Sequence, residues 1–247
     1  MSGTLYGVGL GPGDSELVTV KAARLIGAAD VIAYHCARHG NSIARGVAEP
    51  YLRAGQIEER LMYPVTTESV EHPGGYAGAM ADFYRDSAEL LADHLAAGRD
   101  VVLLAEGDPL FFSSYMHMHK RLAPRFSTEI VPGVTSVAGA SAALGIPLVE
   151  GEESLVVLPG TAPADELIAH LASGSAIAVL KLGRTFERVR AALQAAGRLG
   201  EAWYVERAST PQQRVARVTD VDASTVPYFS MIVVPGAINN PLARLDA

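Results

Sequence analysis

Three glycine-bearing turns hold the residues of this chain best placed for chemistry: Gly9-Leu10-Gly11-Pro12-Gly13-Asp14, Glu106-Gly107-Asp108-Pro109 and Pro132-Gly133-Val134-Thr135-Ser136. Each follows a short apolar run. In an open α/β sheet, ligands bind outside the carboxyl ends of the strands, so three such turns from one sheet would line one crevice. Taken singly, each is also ordinary loop punctuation; the succession of three points to a ligand. A dinucleotide is the first ligand to test. A G-x-G-x-x-G reading from Gly7 needs glycine where Pro12 stands, and one from Gly9 needs it where Asp14 stands. Proline has no amide hydrogen to offer a phosphate, and the Asp14 carboxylate would repel one at a helix start. No G-x-x-x-x-G-K-S/T stretch occurs. The turns instead suit a ligand with a cationic or neutral polar part, because Glu106, Asp108 and strand-end carbonyls favour positive charge. A sulfonium ion bearing an adenosine and an amino-acid arm meets that description. Gly107 either supplies an unusual backbone angle or leaves room for this ligand. Room is the expected cause, since Asp108 and Pro109 already turn and stop the strand.

Other titratable residues carry two readings each. Tyr115, His117 and His119 suggest a metal or acid–base group, but on a helix His117 and His119 lie about 200° apart and cannot share a ligand. No cysteine or third histidine completes a metal set, so no metal is expected. Surface or interface placement is the competing reading for the histidines. Tyr115 either packs in the core or directs its hydroxyl into the crevice. Glu106 either orients substrate and takes a proton, or pairs with an arginine. His35, Arg38, His39 and Arg45 follow a second strand and form either a solvated loop or a cationic rim. Lys181, Arg184, Arg188 and Arg190 make a second basic set, equally readable as surface decoration.

These residues need a scaffold, and the composition supplies one. The chain has 247 residues, 49% hydrophobic and 19% charged, enough to bury a sizeable core and too apolar for disorder. The net charge of −7 makes a nucleic-acid partner a poor expectation. The single cysteine, Cys36, excludes an internal disulfide and fits a reducing, cytoplasmic setting. Neither a signal peptide nor an apolar run of membrane-spanning length is read, so no membrane partner is expected.

Strands are expected at Leu5–Leu10, Asp30–Tyr34, Glu59–Pro64, Asp100–Ala105, Glu129–Val131, Ser154–Leu158, Ala176–Leu182, Ala202–Glu206, Gln213–Val218 and Tyr228–Val234. Helices are expected after an Asp14 cap, near Ser42–Leu52, and over Tyr76–Ala97, Phe111–Leu122, Thr135–Leu144, Ala164–Ala172 and Thr185–Ala196. Strand–helix alternation gives way to strand on strand near the end. Two α/β domains are expected, residues 1–127 and 128–247, the second closing on antiparallel strands.

The motif series resembles a known family. Gly9-Leu10-Gly11-Pro12-Gly13-Asp14, Gly107-Asp108-Pro109-Leu110-Phe111, Pro132-Gly133-Val134-Thr135-Ser136 and Glu206-Arg207-Ala208-Ser209-Thr210-Pro211-Gln212 are similar, in order, to the motifs of the tetrapyrrole methylases. The stretch Ala105 to His117, with Tyr204 to Ser209 and Pro227 to Ile232, is most similar to members that methylate C-20 of precorrin-2 in cobalamin biosynthesis. The resemblance implies two α/β domains with S-adenosylmethionine (SAM) in the cleft between them, a homodimer, and methyl transfer to precorrin-2 giving precorrin-3A. It implies SAM contacts at Leu10, Pro12, Gly107, Asp108, Phe111, Thr135, Ser136, Leu182, Ala208 and Met231. Many members carry glycine where Ala208 stands, which puts close backbone approach there in question. Precorrin-2 carries eight carboxylates, so His35, Arg38, His39 and His117 become candidates to bind it. The catalytic candidates are Glu106 and Tyr115. A cobalt-precorrin-2 or uroporphyrinogen III methylase, or a non-catalytic SAM-binding scaffold, are the competing readings.

Overall fold

The computed structural model describes residues 1–38, 42–64 and 71–237, in two compact units, Met1–Thr135 and Ser136–Ala247. The first holds β1 (Thr4–Gly9), α1 (Val20–Ala28), β2 (Val31–Cys36), α2 (Ile43–Ala48), β3 (Ile57–Met62), α3 (Gly75–Ala96), β4 (Val101–Ala105), α4 (Tyr115–Leu122) and β5 (Ser127–Val131). Its sheet runs in the order β3-β2-β4-β1-β5, with every pairing parallel. A parallel sheet is covered on both faces, which is why β4 reads as the unbroken apolar run Val101-Val102-Leu103-Leu104-Ala105. Side chains alternate between the faces. Ile32, Tyr34, Cys36, Val102 and Leu104 pack with α1 and α2, whereas Val31, Ala33, Val101, Leu103 and Ala105 pack with α3 and α4.

The expected boundary between residues 127 and 128 is corrected. β5 pairs in parallel with β1, Ser127 opposite Thr4 through Val131 opposite Val8, so the first unit keeps its fifth strand and the division falls after Thr135. Two local expectations also shift. Asp14 caps a single 3-10 turn, Ser15–Leu17, by accepting from the Glu16 amide; Thr19 caps α1, its hydroxyl accepting from the Ala22 amide at 3.2 Å. Phe111 precedes α4, which begins at Tyr115 and buries Tyr115, Met118 and Leu122.

The second unit holds α5 (Ser136–Leu144), β6 (Leu155–Pro159), α6 (Ala164–Leu171), β7 (Ala176–Leu180), α7 (Phe186–Ala195), β8 (Trp203–Glu206), β9 (Arg214–Arg217) and β10 (Ser230–Val234). Its sheet order is β6-β7-β10-β8-β9. Only β6 and β7 pair in parallel; β10 and β9 run antiparallel to their neighbours. Leu167 and Leu171 of α6 and Phe186, Val189 and Leu193 of α7 pack on Ile177, Val179, Tyr204, Ile232 and Val234. No described helix is long and apolar enough to cross a membrane.

Candidate active site

Around β4 the connections that leave the first sheet part. The loop after β4 turns toward α3 and α4, while those after its neighbours β1 and β2 turn toward α1 and α2. Connections that part in this way leave crevices outside the carboxyl end of the strand between them. There the three glycine turns meet backbone to backbone. The Gly107 amide donates to the Gly11 carbonyl at 2.9 Å, and the Gly11 amide donates to the Gly107 carbonyl at 3.2 Å. A Cβ on Gly9 would stand 2.5 Å from the Gly133 nitrogen and 2.7 Å from the Gly107 oxygen, so no side chain fits. Gly107 itself has φ +66°, a left-handed conformation in which a Cβ is strained. The expected cause, room for the ligand, is therefore corrected: the backbone angle by itself favours glycine here.

Asp108 clamps these turns. One carboxylate oxygen accepts from the Leu110 amide at 2.9 Å, and the other accepts from the Gly133 amide at 3.1 Å. Its charge serves the loop before it serves any ligand. Leu10 is fully buried, while Pro12, Phe111 and Thr135 are half-buried. Tyr115 is withdrawn as a catalytic candidate. Its ring lies against Gly7 of β1, its hydroxyl pairs with His119 Nδ1 at 3.3 Å, and burial pushes its pKa up to about 12. Glu106 is different. Its side chain is exposed, Oε1 accepts from the Ala44 amide at 3.3 Å, and no arginine or lysine pairs with it among the described residues. Its carboxyl pKa is nevertheless raised, because the surrounding protein limits hydration of the charged form, against the opposing pull of backbone hydrogen bonds.

His35 and His117 come together on the other face of the sheet, around an aromatic cluster. His35 stacks on Tyr63 with centroids 5.4 Å apart and meets Phe83 and Tyr84 edge-on. His117 stacks on Tyr84 at 4.0 Å. The Ser114 hydroxyl links the Tyr63 and Tyr84 hydroxyls at 2.6 and 3.2 Å. Among the described residues, Nε2 of His35 is buried without a hydrogen-bond partner. Burial, with a smaller contribution from His117, lowers the His35 pKa to about 4. Desolvation first, then Arg121 and Lys120, lowers that of His117. His35 therefore belongs to no cationic rim at neutral pH: it is neutral. Nor is Arg45 free, since it forms a forked pair with Glu58 at 3.1 Å and reaches Glu49 at 3.1 Å. Arg38 is exposed, and His39 lies outside the described residues.

In the second unit, β7 and β8 both run antiparallel to β10, so their carboxyl ends meet its start at one sheet edge. Ser230 faces Glu206 and Ile232 faces Val179. Leu182, Ala208 and Met231 gather at this edge and are all buried, while Ser136 opens α5.

The family model for Tetrapyrrole (Corrin/Porphyrin) Methylases matches residues 4–222. This chain belongs to the tetrapyrrole methylases. Over 234 residues, 95% of the methylase chain, it is 66% identical to the cobalamin biosynthesis protein CobIJ of Mycobacterium tuberculosis, but it spans only 46% of that longer protein. It is 46% identical over 239 residues to a precorrin-2 C(20)-methyltransferase of a Sinorhizobium species, covering 97% of this chain and 98% of that one. Among solved structures, the uroporphyrin-III C-methyl transferase of Thermus thermophilus complexed with S-adenyl homocysteine superposes with a TM-score of 0.66 at 26% identity, over 94% of this chain and 92% of that one.

Several features of this methylase escape sequence reasoning. Phe112, Lys181, Arg207 and Ser209 have φ of 56°, 60°, 46° and 63°. Non-glycine residues held there are strained by roughly 1–3 kcal/mol and cluster at functional sites. All four fall in turns after β4, β7 or β8, two of them flanking Ala208. Phe83 and Tyr84 read from sequence only as the apolar side of a helix; that they meet Tyr63 and Ser114 depends on β3, α3 and the loop before α4 being packed together.

Proposed function

We propose that this chain transfers a methyl group from SAM to C-20 of precorrin-2, giving precorrin-3A. The observation that carries the reading is the near end-to-end match, at 46% identity, with the Sinorhizobium precorrin-2 C(20)-methyltransferase. The same name favours metal-free precorrin-2 over a cobalt complex. The Thermus relative's complex with S-adenyl homocysteine supports SAM as donor, and the turns fit it: they carry Asp14, Glu106 and Asp108 and no basic side chain. In the first unit, Pro12, Gly107, Asp108, Phe111 and Thr135 are the assigned SAM contacts; the family resemblance implies further contacts at Leu10, Ser136, Leu182, Ala208 and Met231. The family resemblance further supports a homodimer at work in the cytoplasm.

SAM, when bound, supplies an electrophilic methyl on a sulfonium that is already a good leaving group. The meso carbon of precorrin-2 is an enamine carbon and already nucleophilic. The protein's task is therefore in-line positioning, worth roughly 7–11 kcal/mol. The turns are rigid enough for it, because Gly9, Gly107 and Gly133 lock against one another and Asp108 ties two of them. Arg38 supplies full charge to a substrate carboxylate; His35 and His117, being neutral, contribute polar aromatic contact with the macrocycle instead.

The test is incubation with methyl-labelled SAM and enzymatically made precorrin-2, followed by NMR of the product. The expected result is one new methyl at C-20. A methyl elsewhere assigns another tetrapyrrole methylase. SAM binding without S-adenosylhomocysteine formation assigns a scaffold. Calorimetry should find SAM binding and no NAD binding.

A further inference from the structure

We propose that Glu106 is the base that removes the C-20 proton after methyl transfer. The assignment rests on the reaction proposed above and names a residue for a step that the reaction requires. The C-20 enamine electron pair forms the bond to the methyl carbon as the carbon–sulfur bond breaks, with its electrons going to sulfur. C-20 then carries both the new methyl and its original hydrogen, and the conjugated ring is an iminium cation. A carboxylate oxygen takes that hydrogen as a proton, and the C–H electron pair restores the double bond. The released proton balances the positive charge brought in by the sulfonium.

Few groups near the carboxyl edge of the first sheet are free to do this. Both oxygens of Asp108 already accept backbone amides. The Tyr115 hydroxyl is sealed beneath β1. Glu58 is bound by Arg45 and Tyr34, and Glu59 by His94. His35 has its Nε2 buried, on the face of the sheet opposite Glu106. Glu106 stands immediately before the left-handed Gly107, at the strand end where the loops part. Its Oε1 is steadied by the Ala44 amide, and its side chain is open to solvent. The protein around it raises its pKa, which strengthens the carboxylate as a base.

The experiment compares wild type, Glu106→Gln and Glu106→Asp with precorrin-2 carrying hydrogen or deuterium at C-20. SAM binding and tetrapyrrole binding without SAM are measured separately by calorimetry. Glu106→Gln should bind both ligands within threefold of wild type and melt normally. Its kcat should fall by about 10²–10⁴-fold, with a C-20 deuterium isotope effect that wild type lacks. Glu106→Asp, which keeps the carboxylate, should recover part of the rate and settles the matter if the glutamine variant does not fold. A glutamine variant that turns over at the wild-type rate overturns the assignment, as does one slowed without an isotope effect. A wild type that leaves precorrin-2 unmethylated overturns the proposed function, and the assignment falls with it.

Discussion

His35 makes the folded state sensitive to acid in a way that can be calculated. Its pKa is 6.5 in an unfolded chain and about 4 in the fold. The folded-state value is depressed, so the unfolded chain binds the proton first as pH falls. Stability is unaffected above pH 6.5, declines from there to about pH 4, and is lower by a constant amount below that. A shift of this size is worth about 3 kcal/mol in full, and about 2 kcal/mol of it is lost by pH 5. His35→Phe removes the titration and retains an aromatic ring against Tyr63, Phe83 and Tyr84. It also removes a buried nitrogen that has no partner among the described residues, so the variant should be no less stable than wild type at pH 7. Urea denaturation of both proteins at pH 7 and pH 5 gives the answer as a double difference, in which the other histidines cancel. Wild type should lose about 2 kcal/mol more than the variant. NMR titration of the His35 ring should find a midpoint near 4. Equal losses in the two proteins, with a midpoint near 6.5, would refute the claim that the aromatic cluster keeps His35 neutral.

Three further substitutions test the turns and the rim. Gly107→Val forces a β-branched residue to φ +66° and should lower stability by about 1–3 kcal/mol; an unchanged melting curve without ligand would show that the backbone angle is not what demands glycine. Asp108→Ala leaves the Leu110 and Gly133 amides without their acceptor. It should cost about 1–3 kcal/mol and weaken SAM binding as the turns separate, both read by thermal melts with and without SAM. Arg38→Ala should raise KM for the tetrapyrrole and leave SAM affinity unchanged, because Arg38 is exposed and lies away from the turns in sequence; an unaltered KM would return it to ordinary surface.

The order of strands and helices is legible in the sequence because it is set by local periodicity. The run Val101 to Ala105 can only be a strand buried on both faces, and the stripe Tyr115, Met118 and Leu122 can only be one side of a helix. The glycine turns are equally legible, since proline and glycine restrict the backbone whatever surrounds them, and Pro12 with Asp14 rules out a phosphate loop on chemistry alone. Partnership between distant segments is another matter. Residues 127–131 read as a strand from sequence, but only the pairing with Thr4 to Val8 assigns that strand to the first unit. Gly107 reads as small; its φ decides why. His35 reads as a cation near a strand end, until Tyr63, Phe83 and Tyr84 from two other elements enclose it and remove its charge. Glu106 reads equally as a base or half of an ion pair, and the choice turns on which side chains the fold brings within reach. Backbone preference and hydrophobic period act over a few residues and are written locally. Desolvation, ion pairing and close backbone contact depend on atoms a hundred residues apart in the chain, and they exist only once the fold has brought those atoms together.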